Sequence, residues 1–269
     1  MRRSRMLAIG VTVPALGLAA AIIGTGIPAQ AASAVHYVAL GDSYSSGLGA
    51  GSTSGSCEQS PNAYAPLWAK ANSPASFTFA ACGGATTSDV INSQLSSLNS
   101  STTLVSITIG GNDVGFANIM ETCVLDSTSS CESVVAAAEN YANNTLPGQL
   151  DTTLSDIRAH APNAKIVVLD YPVFYDLGAW LCVGLSKADH QTLDAGINDL
   201  DSVIQAAAAR NGDTFADVRS TFSSHELCSG SSCLNSVTIP INNSYHPNAS
   251  GQKSGYLPVM SAAAAAVGQ

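Results

Sequence analysis

Short β-rich runs that alternate with longer helical segments restrict the fold of this chain more than any other feature. The β-rich runs lie at residues 35–40, 76–81, 104–109, 165–169 and 214–218. Helices are predicted over residues 63–71, 88–98, 134–160, 187–210 and 248–267. Because parallel strands need a crossover connection, this alternation predicts a parallel five-stranded sheet with helices on both faces, a three-layer α/β/α sandwich. No long linker interrupts the pattern, so we expect residues 35–269 to form one domain.

The first 34 residues are predicted to be a secretory signal peptide rather than part of this domain. A basic start precedes an apolar stretch over residues 6–27, and small-residue cleavage patterns end at Ala31 and Ala34. The basic residues are Arg2, Arg3 and Arg5. A retained membrane anchor is the alternative, which Pro14 and Pro28 disfavour because they interrupt the stretch. We expect cleavage after Ala31 or Ala34 and a secreted, extracellular product.

The charge balance argues against a nucleic-acid partner. The chain has 10 lysines and arginines against 19 aspartates and glutamates, a formal charge of −9, whereas a nucleic-acid-binding face needs clustered cations. Charged residues make up 11% of the chain and hydrophobic residues 46%, which excludes disorder driven by charge. All seven cysteines follow the predicted signal peptide, without the paired CxxC spacing of a zinc site. We therefore expect disulfides.

Glycine-rich blocks with polar residues follow three of the predicted strands. They read Gly41-Asp42-Ser43, Gly83-Gly84 and Gly110-Gly111-Asn112-Asp113, and a late histidine, His246, precedes Pro247. The carboxyl ends of parallel strands meet at one edge of a sheet, where ligands bind. A serine nucleophile there, with backbone amides and the Asn112 side chain as oxyanion donors, would suit ester hydrolysis. Each block alone also fits an ordinary turn, so this hypothesis depends on all four together.

These four blocks, in this order, resemble the motifs of the SGNH, or GDSL, hydrolases. Residues 41–47 resemble the first motif of that superfamily. Residues 82–87, 110–113 and 244–247 resemble segments of its secreted Streptomyces-type esterases, lipases and phospholipases A1. The resemblance covers essentially all of the predicted mature chain. It implies a flavodoxin-like fold and a monomeric carboxylic-ester hydrolase that needs no metal or other cofactor. Its substrates would be small-molecule or lipid esters, and it could contact lipid surfaces transiently.

The resemblance also implies roles for single residues. Ser43 is implied as the nucleophile and His246 as the general base. The oxyanion hole would consist of the Ser43 amide, the Gly84 amide and the Asn112 side chain. The Gly-x-Ser-x-Gly elbow of another large serine-hydrolase fold is absent from the sequence.

One position departs from the pattern of many members of the superfamily. These members have an aspartate three residues before the histidine, which holds the imidazole tautomer, whereas this chain has Asn243 there. Some Streptomyces relatives use a backbone carbonyl instead, which here would be that of Ser244. We therefore expect a Ser–His dyad whose His246 is oriented by Ser244. Recruitment of a distant carboxylate, Asp42 or Asp113, is the alternative.

Other functions also fit the motifs. A carbohydrate O-acetyl esterase would need an open, polar cleft with stacking aromatic side chains, and the chain has only Trp68 and Trp180 as tryptophans. A lipid esterase needs an apolar acyl groove, which the apolar residues within 116–120 and 174–185 could line. The third alternative is a non-catalytic secreted protein with the same fold. The intact motifs favour the esterase.

The number of cysteines is odd, so at least one is free or pairs between chains. The Streptomyces-type relatives imply three bonds, which here are Cys57–Cys82, Cys123–Cys131 and Cys182–Cys228. The first would hold the loop after the nucleophile beside the Gly83-Gly84 turn, and the second would close a short polar loop. Cys233 is then the odd thiol. A Cys228–Cys233 bond, which would leave Cys182 free, is the alternative.

Overall fold

The computed structural model describes Gly10 and residues 34–269. Ala34–Gln269 is one compact unit and contains all the elements described below. The predicted signal peptide, residues 1–34, lies almost entirely outside the described residues, so it stays a prediction. In the described part of the chain, no helix is both long enough and apolar enough to cross a membrane.

A sheet of five parallel strands runs through the molecule. In chain order the strands are β1 (His36–Gly41), β2 (Ser76–Phe79), β3 (Leu104–Thr108), β4 (Lys165–Leu169) and β5 (Thr214–Ala216). Their spatial order is β2-β1-β3-β4-β5, and every neighbouring pair is parallel. The central strand β3 is buried along its whole length, as expected for an apolar strand covered on both faces. The predicted parallel sheet is confirmed, and its order is flavodoxin-like.

Helices cover the sheet and make most of its connections. Those described are α1 (Ser43–Ser46), α2 (Tyr64–Asn72), α3 (Thr87–Asp89), α4 (Phe116–Leu125), α5 (Thr128–Asn144), α6 (Leu146–His160), α7 (Lys187–Asn211), α8 (Arg219–Phe222) and α9 (Leu257–Ala266). Shorter 3-10 or π-helical segments lie at Val90–Gln94, Leu95–Ser97, Ile241–Asn243 and Gly251–Tyr256. α2 and α9 pack together, as do α5, α6 and α7. The result is the predicted three-layer sandwich.

The single helix predicted over residues 134–160 is wrong, because the structure has two helices there. α5 begins earlier, at Thr128, where the Ser127 side chain caps its first turn. The chain departs from helical geometry at Thr145, and α6 then begins with Pro147 in its first turn. Proline has no amide hydrogen and a fixed φ, so it suits the first turn of a new helix better than a helix interior.

Several other boundaries also differ from the sequence predictions. β2 ends at Phe79, because the amides of Ala80 and Ala81 both donate to the carbonyl of Ala39 and turn the chain inward. β5 is likewise shorter than predicted. α4 was not predicted as a helix. The helices predicted over residues 88–98 and 248–267 contain π-helical segments.

The strand order reverses between β1 and β3, which diverge in their connections at this point of the sheet. Gly41 ends β1 with a φ of +119°. A Cβ on this residue would lie 2.3 Å from the carbonyl oxygen of Thr108 in β3, so no larger residue fits. The ends of the two strands are therefore held close together, and ligands bind at such switch points of open α/β sheets.

Candidate active site

The four sequence blocks meet at the carboxyl edge of the sheet. Ser43 is the first residue of α1, directly after β1, while Gly84 lies in the turn after β2 and Asn112 in the turn after β3. His246 comes from a loop near the C-terminus, where the amide of Asn235 donates to the His246 carbonyl at 2.9 Å. These four block residues line one cavity of about 590 Å³, which we call the outer cleft.

Ser43 and His246 form a hydrogen-bonded pair in the outer cleft. Ser43 Oγ lies 2.7 Å from His246 Nε2, and the Ser244 carbonyl oxygen lies 3.0 Å from His246 Nδ1. A carbonyl can only accept, so Nδ1–H donates to Ser244 and Nε2 accepts the hydroxyl hydrogen of Ser43. Only 5% of each residue of the pair is exposed. This geometry allows a histidine to act as base toward a serine hydroxyl.

Burial keeps the His246 imidazole neutral. It lowers the pKa of His246 to about 4, and the hydrogen bond to the Ser244 carbonyl opposes that shift in part. The ring of Tyr44 lies 5.0 Å and that of Phe116 5.8 Å from the imidazole, between ring centroids. Because only a neutral imidazole can accept a proton, His246 can act as a base throughout the neutral pH range.

No carboxylate among residues 34–269 contacts the imidazole of His246. Asp42 accepts a hydrogen bond from the Tyr171 hydroxyl, and Asp113 accepts from the amide and the hydroxyl of Thr87. Both aspartates thus stabilise turns, and a backbone carbonyl is the group that reaches Nδ1. Clusters of three or more side chains suited to hold a metal ion are also absent from the described residues.

Three hydrogen-bond donors surround the outer cleft near Ser43. No partner within residues 34–269 occupies the Ser43 and Gly84 amides, and Gly84 has a left-handed φ of +76°. Asn112 Nδ2 donates to the carbonyl of Ala85 at 3.0 Å, which ties Asn112 to the Gly84 turn. That bond leaves the second Nδ2 hydrogen available. Donors in this arrangement can stabilise an oxyanion.

The walls of the outer cleft are aliphatic on two sides. α4 contributes Met120, Val124 and Leu125, and the loop that precedes the histidine contributes Val237 and Ile241. Leu125 and Ile241 are 71% and 70% exposed. Contiguous exposed apolar side chains mark a surface that binds apolar ligands or partners.

Tyr171, just after β4, joins two of the blocks and was missed by the sequence analysis. Its hydroxyl donates to the Asp42 carboxylate, next to Ser43, and accepts from the amide of Gly111, next to Asn112, at 3.1 Å. Burial raises the pKa of Asp42 to about 6, and the hydrogen bond from Tyr171 is the foremost of several that oppose this. Its position after a predicted strand is the signal that could have identified it.

Two glutamines also hold the turns of the site. The Gln94 side chain accepts from the Gly41 amide at 2.7 Å and donates to the Gly41 carbonyl at 2.8 Å. Gln252 accepts from the Tyr64 amide and donates to the Tyr44 carbonyl. Both glutamines lie in π-helical segments. No sequence pattern used above indicates them.

The structure contains three disulfides: Cys57–Cys82, Cys123–Cys131 and Cys182–Cys228. The first lies beside the oxyanion turn, since the Gly83 amide donates to the Cys57 carbonyl at 2.9 Å. The second joins α4 to α5. Cys233 is a buried free thiol, so the alternative Cys228–Cys233 bond is not formed.

Fold and site together define a class, the three-layer α/β/α ester hydrolases with a serine hydroxyl against a buried, neutral histidine. The family model described as the GDSL-like lipase/acylhydrolase family matches residues 39–253, which include all four sequence blocks. The chain belongs to this family and is a carboxylic-ester hydrolase. The resemblance predicted from the motifs is confirmed.

Similar proteins agree with this assignment over nearly their whole length. Lipase 1 of Streptomyces coelicolor is 52% identical, over 98% of this chain and 100% of that protein. Among solved structures, phospholipase A1 from Streptomyces albidoflavus is 53% identical with a TM-score of 0.84, over 86% of this chain and 99% of that one. The extracellular lipase of Streptomyces rimosus is 51% identical with a TM-score of 0.84, over 86% of this chain and 100% of that one.

Proposed function

We propose that this protein is a secreted lipid-ester hydrolase that acts through a covalent acyl-enzyme on Ser43. The observation that carries the proposal is the short contact of Ser43 Oγ with His246 Nε2, 2.7 Å, with Nδ1 of the same ring held by Ser244. A neutral, oriented imidazole beside a serine hydroxyl is what nucleophilic catalysis by serine requires.

The reaction proceeds in two halves. Ser43 Oγ attacks the ester carbonyl carbon while His246 Nε2 takes the hydroxyl proton, and the Ser43 and Gly84 amides with Asn112 stabilise the oxyanion. Collapse of the tetrahedral intermediate breaks the bond to the alcohol, which leaves with the proton from His246. Water then attacks the acyl-enzyme, gives its proton to the same nitrogen, and releases the fatty acid as Ser43 regains its hydrogen.

The walls of the outer cleft support a lipid substrate over an acetylated carbohydrate. Aliphatic residues of α4 and of the loop before the histidine form them. Neither tryptophan lines the outer cleft: Trp68 is 2% exposed in the core, and Trp180 is 94% exposed elsewhere. The names of the similar proteins, lipase and phospholipase A1, point the same way. Short-term contact with a lipid surface, by a monomer, brings such substrates to the cleft.

Export is part of the proposal. Three disulfides fit a protein that folds in an oxidising compartment, and the extracellular lipase of Streptomyces rimosus is among the similar structures. Residues 1–34 are then the signal peptide, cut after Ala31 or Ala34, and the exported chain works without a metal or another cofactor.

Labelling with a fluorophosphonate probe tests the nucleophile. Wild type should be labelled and should hydrolyse p-nitrophenyl esters in EDTA, while Ser43→Ala should lose labelling and several powers of ten in turnover. Ser88→Ala, at an exposed serine, is the matched control and should keep both. Substantial turnover by Ser43→Ala would refute the assignment. Phosphatidylcholine and acetylated xylan, offered in parallel, separate lipid from carbohydrate esters.

A further inference from the structure

A second, smaller cavity adjoins the same serine. It measures about 50 Å³ and shares Ser43, Asn112, Phe116 and Met120 with the outer cleft. From there it continues between α4, α5 and α7, away from the loop that carries the histidine. We call it the inner slot. The two cavities therefore diverge from the point where an ester carbonyl would lie.

The inner slot is lined mainly by apolar side chains. Those beyond the shared residues include Ile119, Val135, Ala138, Leu193, Ile197 and Leu200. Its acidic lining residues are Asp42, whose carboxylate is already hydrogen-bonded, and the partly buried Glu139. The outer cleft, in contrast, has Glu58, Glu121 and Asn242 in its lining.

Small residues keep the inner slot open where α5 and α7 pack together. Ala138 and Ala142 lie one turn apart on α5, and Gly196 faces them from α7. A Cβ on Gly196 would lie 3.0 Å from Val135 Cγ1, so the two helices are already in close contact there. A larger side chain at any of these positions would therefore fill the slot rather than displace a helix.

We propose that the inner slot binds the acyl chain of the ester and that the outer cleft holds the alcohol. This assignment rests on the proposed function. Each methylene group moved from water into the slot strengthens binding about fourfold, whereas the alcohol needs the wider, more polar cavity because it must leave and be replaced by water. A water-sized group needs about 10–15 Å³, so the slot holds about four methylene groups before its walls adjust.

Matched alanine substitutions on the two sides of Ser43 test this. Ala138→Leu narrows the inner slot, and Ala117→Leu makes the same change in the outer cleft. The readout is kcat/KM for p-nitrophenyl octanoate divided by kcat/KM for p-nitrophenyl acetate. Because both esters share one alcohol, the ratio cancels effects on the leaving group. Val135→Ala, which widens the slot, is the reverse test.

We expect Ala138→Leu to lower the octanoate-to-acetate ratio by about tenfold or more, Ala117→Leu to leave it within about twofold, and Val135→Ala to raise the ratio for p-nitrophenyl decanoate several-fold. A fall confined to Ala117→Leu would place the acyl chain in the outer cleft and overturn the proposal. Unchanged ratios in both Ala138→Leu and Val135→Ala would overturn it too. Failure of the proposed function is distinct, because wild type would then lack Ser43-dependent acetate hydrolysis.

Discussion

Replacing Tyr171 with phenylalanine would remove one hydroxyl and keep the ring. That hydroxyl donates to the Asp42 carboxylate and accepts from the Gly111 amide at 3.1 Å, and all three residues are buried. It is thus a bridge between the turn of the nucleophile Ser43 and the turn of the oxyanion donor Asn112. We expect Tyr171 to be a positioning residue, without contact to the reacting atoms.

The structure sets the size of the effect. Two buried groups lose a partner, each at about 1–3 kcal/mol, so the free energy of unfolding should fall by about 2–5 kcal/mol. Loss of the bridge lets Ser43 and Asn112 shift relative to each other, and a misplacement of about 1 Å costs up to about 100-fold in rate. We expect kcat to fall about 10- to 100-fold. KM should stay within about twofold, since the ring contacts remain.

Asp42 adds a pH dependence that loss of packing alone would not produce. Burial raises its pKa to about 6 against the Tyr171 hydrogen bond, so removal of the hydroxyl raises that pKa further. A carboxyl with a raised folded pKa stabilises the protein at low pH, and this stability is lost as pH rises through that pKa. Wild type stops losing stability above about pH 6, while the variant continues. The destabilisation should be greater at pH 8 than at pH 5.

Urea unfolding at pH 5 and pH 8, with kcat and KM for p-nitrophenyl butyrate, measures both effects. Tyr37→Phe is the matched control, because it also removes a buried hydroxyl, bonded to Ser106 Oγ at 2.7 Å, at the opposite end of β1. It should lower stability with little change in kcat. Equal destabilisation of Tyr171→Phe at both pH values, or a loss of kcat no larger than in Tyr37→Phe, would refute the positioning role.

Further predictions concern the base, the oxyanion hole and the lipid surface. Asn243→Ala should keep activity within about tenfold while His246→Ala is nearly inactive, because the carbonyl of Ser244 and not the Asn243 side chain orients the ring; comparable losses in initial rates would contradict the dyad. Asn112→Ala should lower kcat by about 10²–10³ with a smaller rise in KM, as expected for one lost oxyanion donor, and steady-state kinetics would show otherwise if KM alone changed. The pH profile of kcat/KM should fall on the acid side through about pH 4, since protonated His246 cannot accept a proton; an inflection near pH 6.5 would contradict a buried base. Trp180 is 94% exposed, so its fluorescence in Ser43→Ala should shift to the blue on phosphatidylcholine vesicles, and an unchanged spectrum would argue that this loop does not touch lipid.

Much of the fold and the composition of the site could be predicted from local sequence. Apolar strands such as β3, each followed by glycine, identify themselves by residue type, and the strand–helix alternation predicts the parallel sheet. Because parallel strands end at one edge, the residues just after them must lie near one another. Ser43, Gly84 and Asn112 therefore lie together, as the spacing of their blocks predicted.

Contacts between distant side chains were beyond such reasoning. Ser43 and His246 are 203 positions apart, and only the packed loop of Asn235 brings them within 2.7 Å. The break at Thr145 and the helical form of α4 also depend on neighbouring segments, which override local preference.

The choice of the group that orients the histidine shows where the division lies. The sequence by itself limited the candidates to the Ser244 carbonyl, Asp42 and Asp113, because it contains no aspartate three residues before His246. Only the tertiary structure reveals that Tyr171 and Thr87 already hydrogen-bond the two carboxylates. Local pattern determines which groups reach the edge of the sheet, whereas close packing determines which of them are free to meet, since a buried polar group must find its partner among whatever lies beside it.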